Sequence, residues 1–209
     1  MKLYDCTTAP SPQRVRIFLA EKGIDIPLVQ VDLRTGEQLG DAFRKINPDC
    51  TVPVLELDDG ARISEIFAIC QYLESQFPEP ALMGRDALEK AMVSMWNSKI
   101  EQNGIAALAE TLRNRAKGLQ DRALPGPVNL PQIPELVERG RKRAEAFFDR
   151  LDGQLDGNEF VTGNQLTMAD ITAFVMVQFA GWSKISIQKN QKHLQRWFNT
   201  ISHRPSVTA

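Results

Sequence analysis

A small α/β unit followed by an all-helical unit is the fold class that this sequence predicts. Three observations lead there. Short β-patterned runs alternate with helix-patterned ones as far as Leu73. The stretch Phe77-Pro78-Glu79-Pro80 then breaks the pattern, and beyond it apolar residues recur at helical spacing almost to the end of the chain. The expected boundaries are 1–78 for the α/β domain, 79–85 for a linker and 86–209 for the helical domain.

Composition narrows the class of function. Of 209 residues, 43% are hydrophobic and 24% charged, the balance of a soluble globular protein, and no apolar run reaches membrane-spanning length. A formal net charge of -1 gives no electrostatic footprint for nucleic acid or an anionic membrane. Cys6, Cys50 and Cys70 form no C-x-x-C pair, and two late histidines, His193 and His203, make a poor zinc set. The expectation is a cytoplasmic, reduced, metal-free protein.

Lys2 to Asp5 reads as the first strand. Cys6 to Ser11 reads as a loop, with Ser11 as N-cap and Pro12 in the first helical position. Val15, Ile17, Phe18, Leu19 and Ala20 supply the buried side of that helix, which stops at Lys22-Gly23. Pro27 to Asp32 is the next strand, giving a right-handed βαβ unit. A polar loop from Arg34 to Gly40 leads to a short helix, Asp41 to Ile46, ended by Asn47-Pro48.

Thr51 to Leu73 is the organising stretch. Val54 to Leu57 and Ala61 to Ile63 flank Asp58-Asp59-Gly60, a strong hairpin signal. Ser64 is expected as the N-cap of the following helix, with Glu65 in its first turn and Ile66, Ile69, Cys70 and Leu73 on its buried face. Asp86 is expected to cap a long helix that buries Ala91, Met92, Met95, Trp96 and Ile100 and runs on past Gly104. The four prolines between Leu124 and Pro134 predict an irregular loop. A helix follows to about Leu155. Thr167-Met168-Ala169-Asp170 is patterned as a capping box opening an almost wholly apolar helix, and a last helix spans about Lys189 to Ile201.

Thr51-Val52-Pro53, the Asp-Asp-Gly hairpin and the S-E-x-x-A-I-x-x-Y-L pattern from Ser64 to Leu73 resemble the glutathione-binding core of the cytosolic glutathione transferases. Arg14 to Ile24 resembles their first helix. Thr167 to Asp170 is similar to the start of their buried helix, and Arg204-Pro205-Ser206 to their usual ending. The opening, with Ala9-Pro10-Ser11-Pro12 before Arg14, is most similar to a fungal and bacterial subgroup that lacks the usual catalytic Ser, Tyr or Cys.

The resemblance implies a thioredoxin-like first domain, a helical-bundle second domain, a homodimer and glutathione as co-substrate for conjugation to an apolar electrophile. It implies a cis Pro53 that presents the Val52 backbone to the cysteinyl part of glutathione, with Thr51 beside it. The backbone at Glu65 and Ile66 would hold the γ-glutamyl carboxylate and the Glu65 side chain its ammonium, while Gln38 would lie near the glycyl carboxylate. Ser11 reads first as a helix cap and second as a catalytic hydroxyl.

Free glutathione, with a thiol pKa of ~8.5, is mostly protonated at neutral pH. The activating position of Ser- and Cys-type relatives falls here on Ala9, which donates nothing through its side chain. The expected activator is the N-terminus of the first helix, with a water held by second-domain groups such as Arg113 and Asn114. Trp96, Ile100 and Ile105 are the apolar candidates for the second substrate. Two departures stand against the family pattern: Ile66 where it has Ser or Thr, and Cys50 where glycine is common. The alternative reading is therefore a non-catalytic protein of the same fold with an impaired glutathione site, binding apolar ligands or a protein partner.

Overall fold

The computed structural model describes residues 1–207, which fall into two compact units. The first comprises Met1–Pro80 with Leu124–Asn129, the second Ala81–Ala123 with Leu130 onward.

The first unit has a thioredoxin-like order: β1 (Lys2–Asp5), α1 (Pro10–Glu21), β2 (Leu28–Gln30), α2 (Asp41–Arg44), β3 (Val54–Glu56), β4 (Arg62–Ser64) and α3 (Ile66–Gln76). The sheet runs β2-β1-β3-β4, with β1 parallel to β2 and antiparallel to β3. Alternation along the strands divides the core. Tyr4 and Val54, paired across the sheet, cluster with Phe43 of α2 and with Cys6, Val31 and Val52. Leu3 and Leu55, one position along, are fully buried on the other face; α1 and α3 pack on each other, and Val15 and Phe18 of α1 and Ile69, Cys70 and Leu73 of α3 are buried. Gly60 closes the hairpin at φ 85, the left-handed position of a three-residue turn, with Leu57 N–H on Ala61 O at 2.8 Å. At the end of β3 the half-buried Glu56 receives Lys2, Arg62 and the Tyr4 hydroxyl, and these donors hold its carboxyl down at about 2.

Two expected helix starts are corrected. α1 begins at Pro10 with Ala9 as N-cap, so Ser11 lies inside the first turn. Two prolines fit there because first-turn N–H groups have no acceptor within the helix. Ser64 is the last residue of β4, paired with Val54, and α3 opens instead on Glu65 at φ 69 without any side-chain cap. The end of α1 follows expectation: Gly23 at φ 64 closes it, with Gly23 N–H on Ala20 O and Ile24 N–H on Leu19 O. Lys22 there buries its side chain completely. Its ammonium donates to Glu74 Oε2, Phe77 O and Pro80 O, each at 2.7 Å, tying the ends of α1 and α3 to the segment that follows.

The second unit is helical. α4 (Ala87–Ile100) continues through one π turn, Glu101–Ile105, into α5 (Ala106–Arg113); α6 (Glu135–Gln154), α7 (Met168–Ala180) and α8 (Lys192–Ser202) follow. Asp86 caps α4 by accepting from Glu89 N–H at 2.8 Å. The buried face of α4 is Val93, Trp96, Asn97 and Ile100; the expected Ala91 and Met95 are exposed. Twelve of the thirteen residues of α7 are buried. The capping box predicted at its start is present: Asp170 accepts from Thr167 N–H and Oγ1, and from Val161 N–H and Trp197 Nε1. α5 packs on α6, closely enough that a Cβ on Gly140 would come within 2.6 Å of Ala107 O. No helix among the described residues is long and apolar enough to cross a membrane.

Candidate functional site

The residues with the most distinctive backbone in the first unit lie at one end of the β3–β4 hairpin. Val54 and Ser64 are the terminal pair of that ladder, so Pro53 and Glu65, the next residues outward, flank the same rung. Register thus brings Thr51, Val52 and Pro53 together with Glu65 and Ile66, although a dozen residues separate them in sequence. The Val52–Pro53 peptide is cis.

A buried side chain shapes the approach to this turn. Asn47 donates its amide to Thr51 O at 2.9 Å and Thr51 Oγ1 at 3.0 Å, and its oxygen accepts from Asp49 N–H at 3.0 Å. Cys50, between Asp49 and Thr51, adopts φ 55, so this position, where the resemblance leads one to expect glycine, does use left-handed backbone. In sequence Asn47 reads only as a helix stop; its Asx bond to Asp49 N–H is the local part of this role that a turn asparagine announces.

Among the described residues, the backbone N–H and C=O of Val52 enter no hydrogen bond, leaving one rung of an extended strand open. The first N–H groups of α3, at Ile66, Phe67 and Ala68, face outward from a helix without a side-chain cap, and the helix dipole makes that end positive. The Glu65 carboxylate is exposed and forms no ion pair or hydrogen bond among the described residues. An open strand rung, a bare helix N-terminus and a free carboxylate side by side match a ligand with an extended peptide backbone, a carboxylate and an ammonium.

Gln38 and Ser11 belong to other elements. Gln38 lies in the single turn Glu37–Leu39, with its side-chain oxygen buried and unpartnered among the described residues. Ser11 stands in the first turn of α1, half-buried, its hydroxyl accepting from Arg14 Nη2 at 3.4 Å. Because Pro10 and Pro12 have no N–H and Gln13 N–H donates to Ala9 O, Ser11 supplies the one free backbone donor in that turn. Ala9 packs against the cluster that contains Cys6 and Val52, so the turn entering α1 adjoins the Val52 rung.

The second-unit candidates are engaged within their own unit. Arg113 donates to the carbonyls of Ala123 and Arg122, and Asn114 accepts from Ile133 N–H while donating to Glu110 O, which holds the second-unit residues on either side of 124–129. Trp96 and Ile100 are core side chains; Ile105 is half-buried in the π turn. The one cavity described, about 350 Å³, lies in the second unit among Asn158, Asn164, His193 and Arg196 and contains none of the residues above. All three cysteines are buried and unbridged, and burial pushes the Cys70 thiol far up. Among the described residues no cluster of His, Cys, Asp and Glu is suited to a metal ion.

Comparison with known proteins points to one family. Residues 8–76 match the model of the glutathione S-transferase N-terminal domain and residues 105–205 that of the C-terminal domain. The chain is 34% identical over 210 residues to glutathione S-transferase 2 of Saccharomyces cerevisiae, covering 99% of this chain and 88% of the yeast protein. The crystal structure of yeast Gtt2 superposes with a TM-score of 0.91 at 34% identity, covering 100% of this chain and 99% of that one. A glutathione S-transferase domain-containing protein from Marinobacter aquaeolei gives 0.91 at 38% identity, over 99% and 100% of the two chains. The chain belongs to the glutathione S-transferase family.

Proposed function

We propose that this protein is a glutathione transferase, which binds glutathione along the hairpin end and adds its thiolate to an electrophilic, largely apolar substrate. The observation that supports it best is the adjacency of the open Val52 rung to the uncapped N-terminus of α3 at Glu65 and Ile66. In this reading the Val52 N–H and C=O pair with the cysteinyl residue, next to Thr51 and Pro53. The α3 N–H groups receive the γ-glutamyl carboxylate, Glu65 receives its ammonium, and Gln38 reaches the glycyl carboxylate.

Chemistry then requires the bound thiol to lose its proton to solvent; the sulfur then forms a bond to carbon as the electrophile's π bond opens and takes up a proton from solvent, or as its leaving group departs with the bonding pair. A positive helix end favours the anion, and the α1 N-terminus, with the Ser11 N–H and hydroxyl as its donors, is the group we assign to this task. The protein acts as a homodimer in the cytoplasm, in the detoxification of reactive apolar compounds.

Ile66 bears on affinity. Its N–H remains in place at the first position of α3, but the hydroxyl that Ser or Thr offers there is missing. One hydrogen bond to a charged group is worth about 1.5–3 kcal/mol, or roughly tenfold to a hundredfold in Kd. Titration calorimetry with glutathione on the natural protein and on Ile66→Ser tests the assignment. The expected result is binding by the natural protein in the micromolar to low-millimolar range, tightened at least about tenfold by the serine. Absence of heat with both proteins would sink glutathione as the ligand.

A further inference from the structure

The turn between β1 and α1 is held by a polar network that the proposed chemistry has not yet used. Asp5 is fully buried at the end of β1. One carboxylate oxygen accepts from Arg16 Nη1 at 2.5 Å, the other from Gln30 Nε2 at 2.6 Å. Each partner then reaches the same residue. Gln30 Oε1 accepts from Thr7 N–H at 3.0 Å and from Thr7 Oγ1 at 2.8 Å, while Arg16 Nη2 donates to Thr7 O at 3.0 Å. Thr7 is exposed, yet its N–H, C=O and hydroxyl are all engaged by two side chains fixed to one buried carboxylate. Arg16 Nη1 also lies 3.4 Å from Cys6 O, which accepts from Ala9 N–H at 2.9 Å.

Such a network is more than local stability needs. An exposed four-residue turn ordinarily leaves its backbone polar groups to water. Here the chain from Cys6 to the N-cap Ala9 is fixed from both sides, immediately before the turn in which Ser11 is the free donor and beside the Val52 rung. We propose that Asp5, Arg16 and Gln30 are positioning residues that hold the Cys6–Ala9 turn, and through it the α1 terminus, in the register that ionises bound glutathione. This rests on the transferase reading of the site. None of the three touches the reacting sulfur; they set where the donors stand, and small displacements of a positioned donor are costly to rate.

Gln30 makes the idea testable, because it is neutral and lies on an exposed edge strand. Gln30→Met removes every bond from Gln30 to Thr7 and Asp5 without altering any charge, so an effect on ionisation reports geometry and not the long-range field. Thr7→Val removes the hydroxyl bond alone. The thiolate absorbance of bound glutathione is titrated against pH for the natural protein and both variants, with KM, kcat and thermal melts alongside. We expect Gln30→Met to raise the apparent pKa of the bound thiol towards that of free glutathione and to lower kcat about tenfold, with KM within about twofold, a cooperative melt and Thr7→Val in between. An unchanged thiol titration in a folded Gln30→Met protein that still binds glutathione would overturn the inference and leave the transferase reading standing. If the natural protein itself gives no thiolate on saturation with glutathione, both readings fall.

Discussion

Lys22 offers the sharpest stability prediction. Its side chain is completely buried, and the ammonium has three acceptors at 2.7 Å: one carboxylate oxygen, on Glu74, and two carbonyls, of Phe77 and Pro80. Lys22→Met keeps most of the apolar stem but deletes the charge, including its place 5.3 Å over the Phe18 ring. The carboxylate of Glu74, 13% exposed, then loses this buried cation from among its contacts, and two carbonyls lose a donor. Breaking a buried pair on one side costs about 3–5 kcal/mol; with the stem packing retained, the lower end, about 3 kcal/mol, is expected. For a chain of this length that corresponds to roughly 6–12 °C in Tm. Thermal melts of the natural protein and Lys22→Met, read by circular dichroism, measure it. A Tm within about 2 °C would mean that this contact behaves like an exposed ion pair, and would refute the reasoning.

Two further outcomes are expected in the second unit. Burial pushes the Asp170 carboxyl up to about 6, against the opposing pull of hydrogen bonds from Val161, Thr167 and Trp197. A carboxyl raised above its ordinary 3.8 stabilises the fold most below that value, and its contribution is lost as pH rises through about 6. Urea midpoints should therefore show a component that declines from pH 4 to pH 6 in the natural protein and is absent in Asp170→Asn, itself less stable by about 1–3 kcal/mol because an amide cannot accept every bond that the carboxylate does. In Gly140→Ala the new Cβ would meet Thr111 Oγ1 at 2.5 Å and Ala107 O at 2.6 Å. Backbone of α5 has to shift, so a loss of about 1–3 kcal/mol is expected in denaturant unfolding, and a neutral result would mean that α5 and α6 separate freely.

Which parts of the molecule could be read in advance follows from how local their causes are. β1 was legible because its alternation and its boundary are written in adjacent residues. The hairpin was legible because Asp-Asp-Gly states its own turn chemistry. Ser64 misleads because serine is a common cap, whereas its pairing with Val54 keeps it in β4 and passes the helix start to Glu65. Ser11-Pro12 misleads in the same way, since Ala9-Pro10 performs the identical entry two residues earlier with no side-chain bond to announce it. On α4 a buried asparagine displaces the expected methionine: Asn97 accepts from Thr172 Oγ1 at 2.6 Å across to α7, a contact between residues 75 apart that no periodicity reveals. The hairpin end was found through the motif it resembles. Asp5, Arg16 and Gln30 were not, because their meeting depends on the β1–β2 register and carries no spacing signature.

The burial of the cysteines has a consequence for how long such a protein survives its own work. Cys6, Cys50 and Cys70 expose 8%, 3% and 0% of their surface. A catalyst of conjugation spends its life among compounds that alkylate any accessible thiolate. With its own thiols under cover, the thiol within reach of an incoming electrophile is the one that glutathione brings, and the cysteines are spared as competing targets.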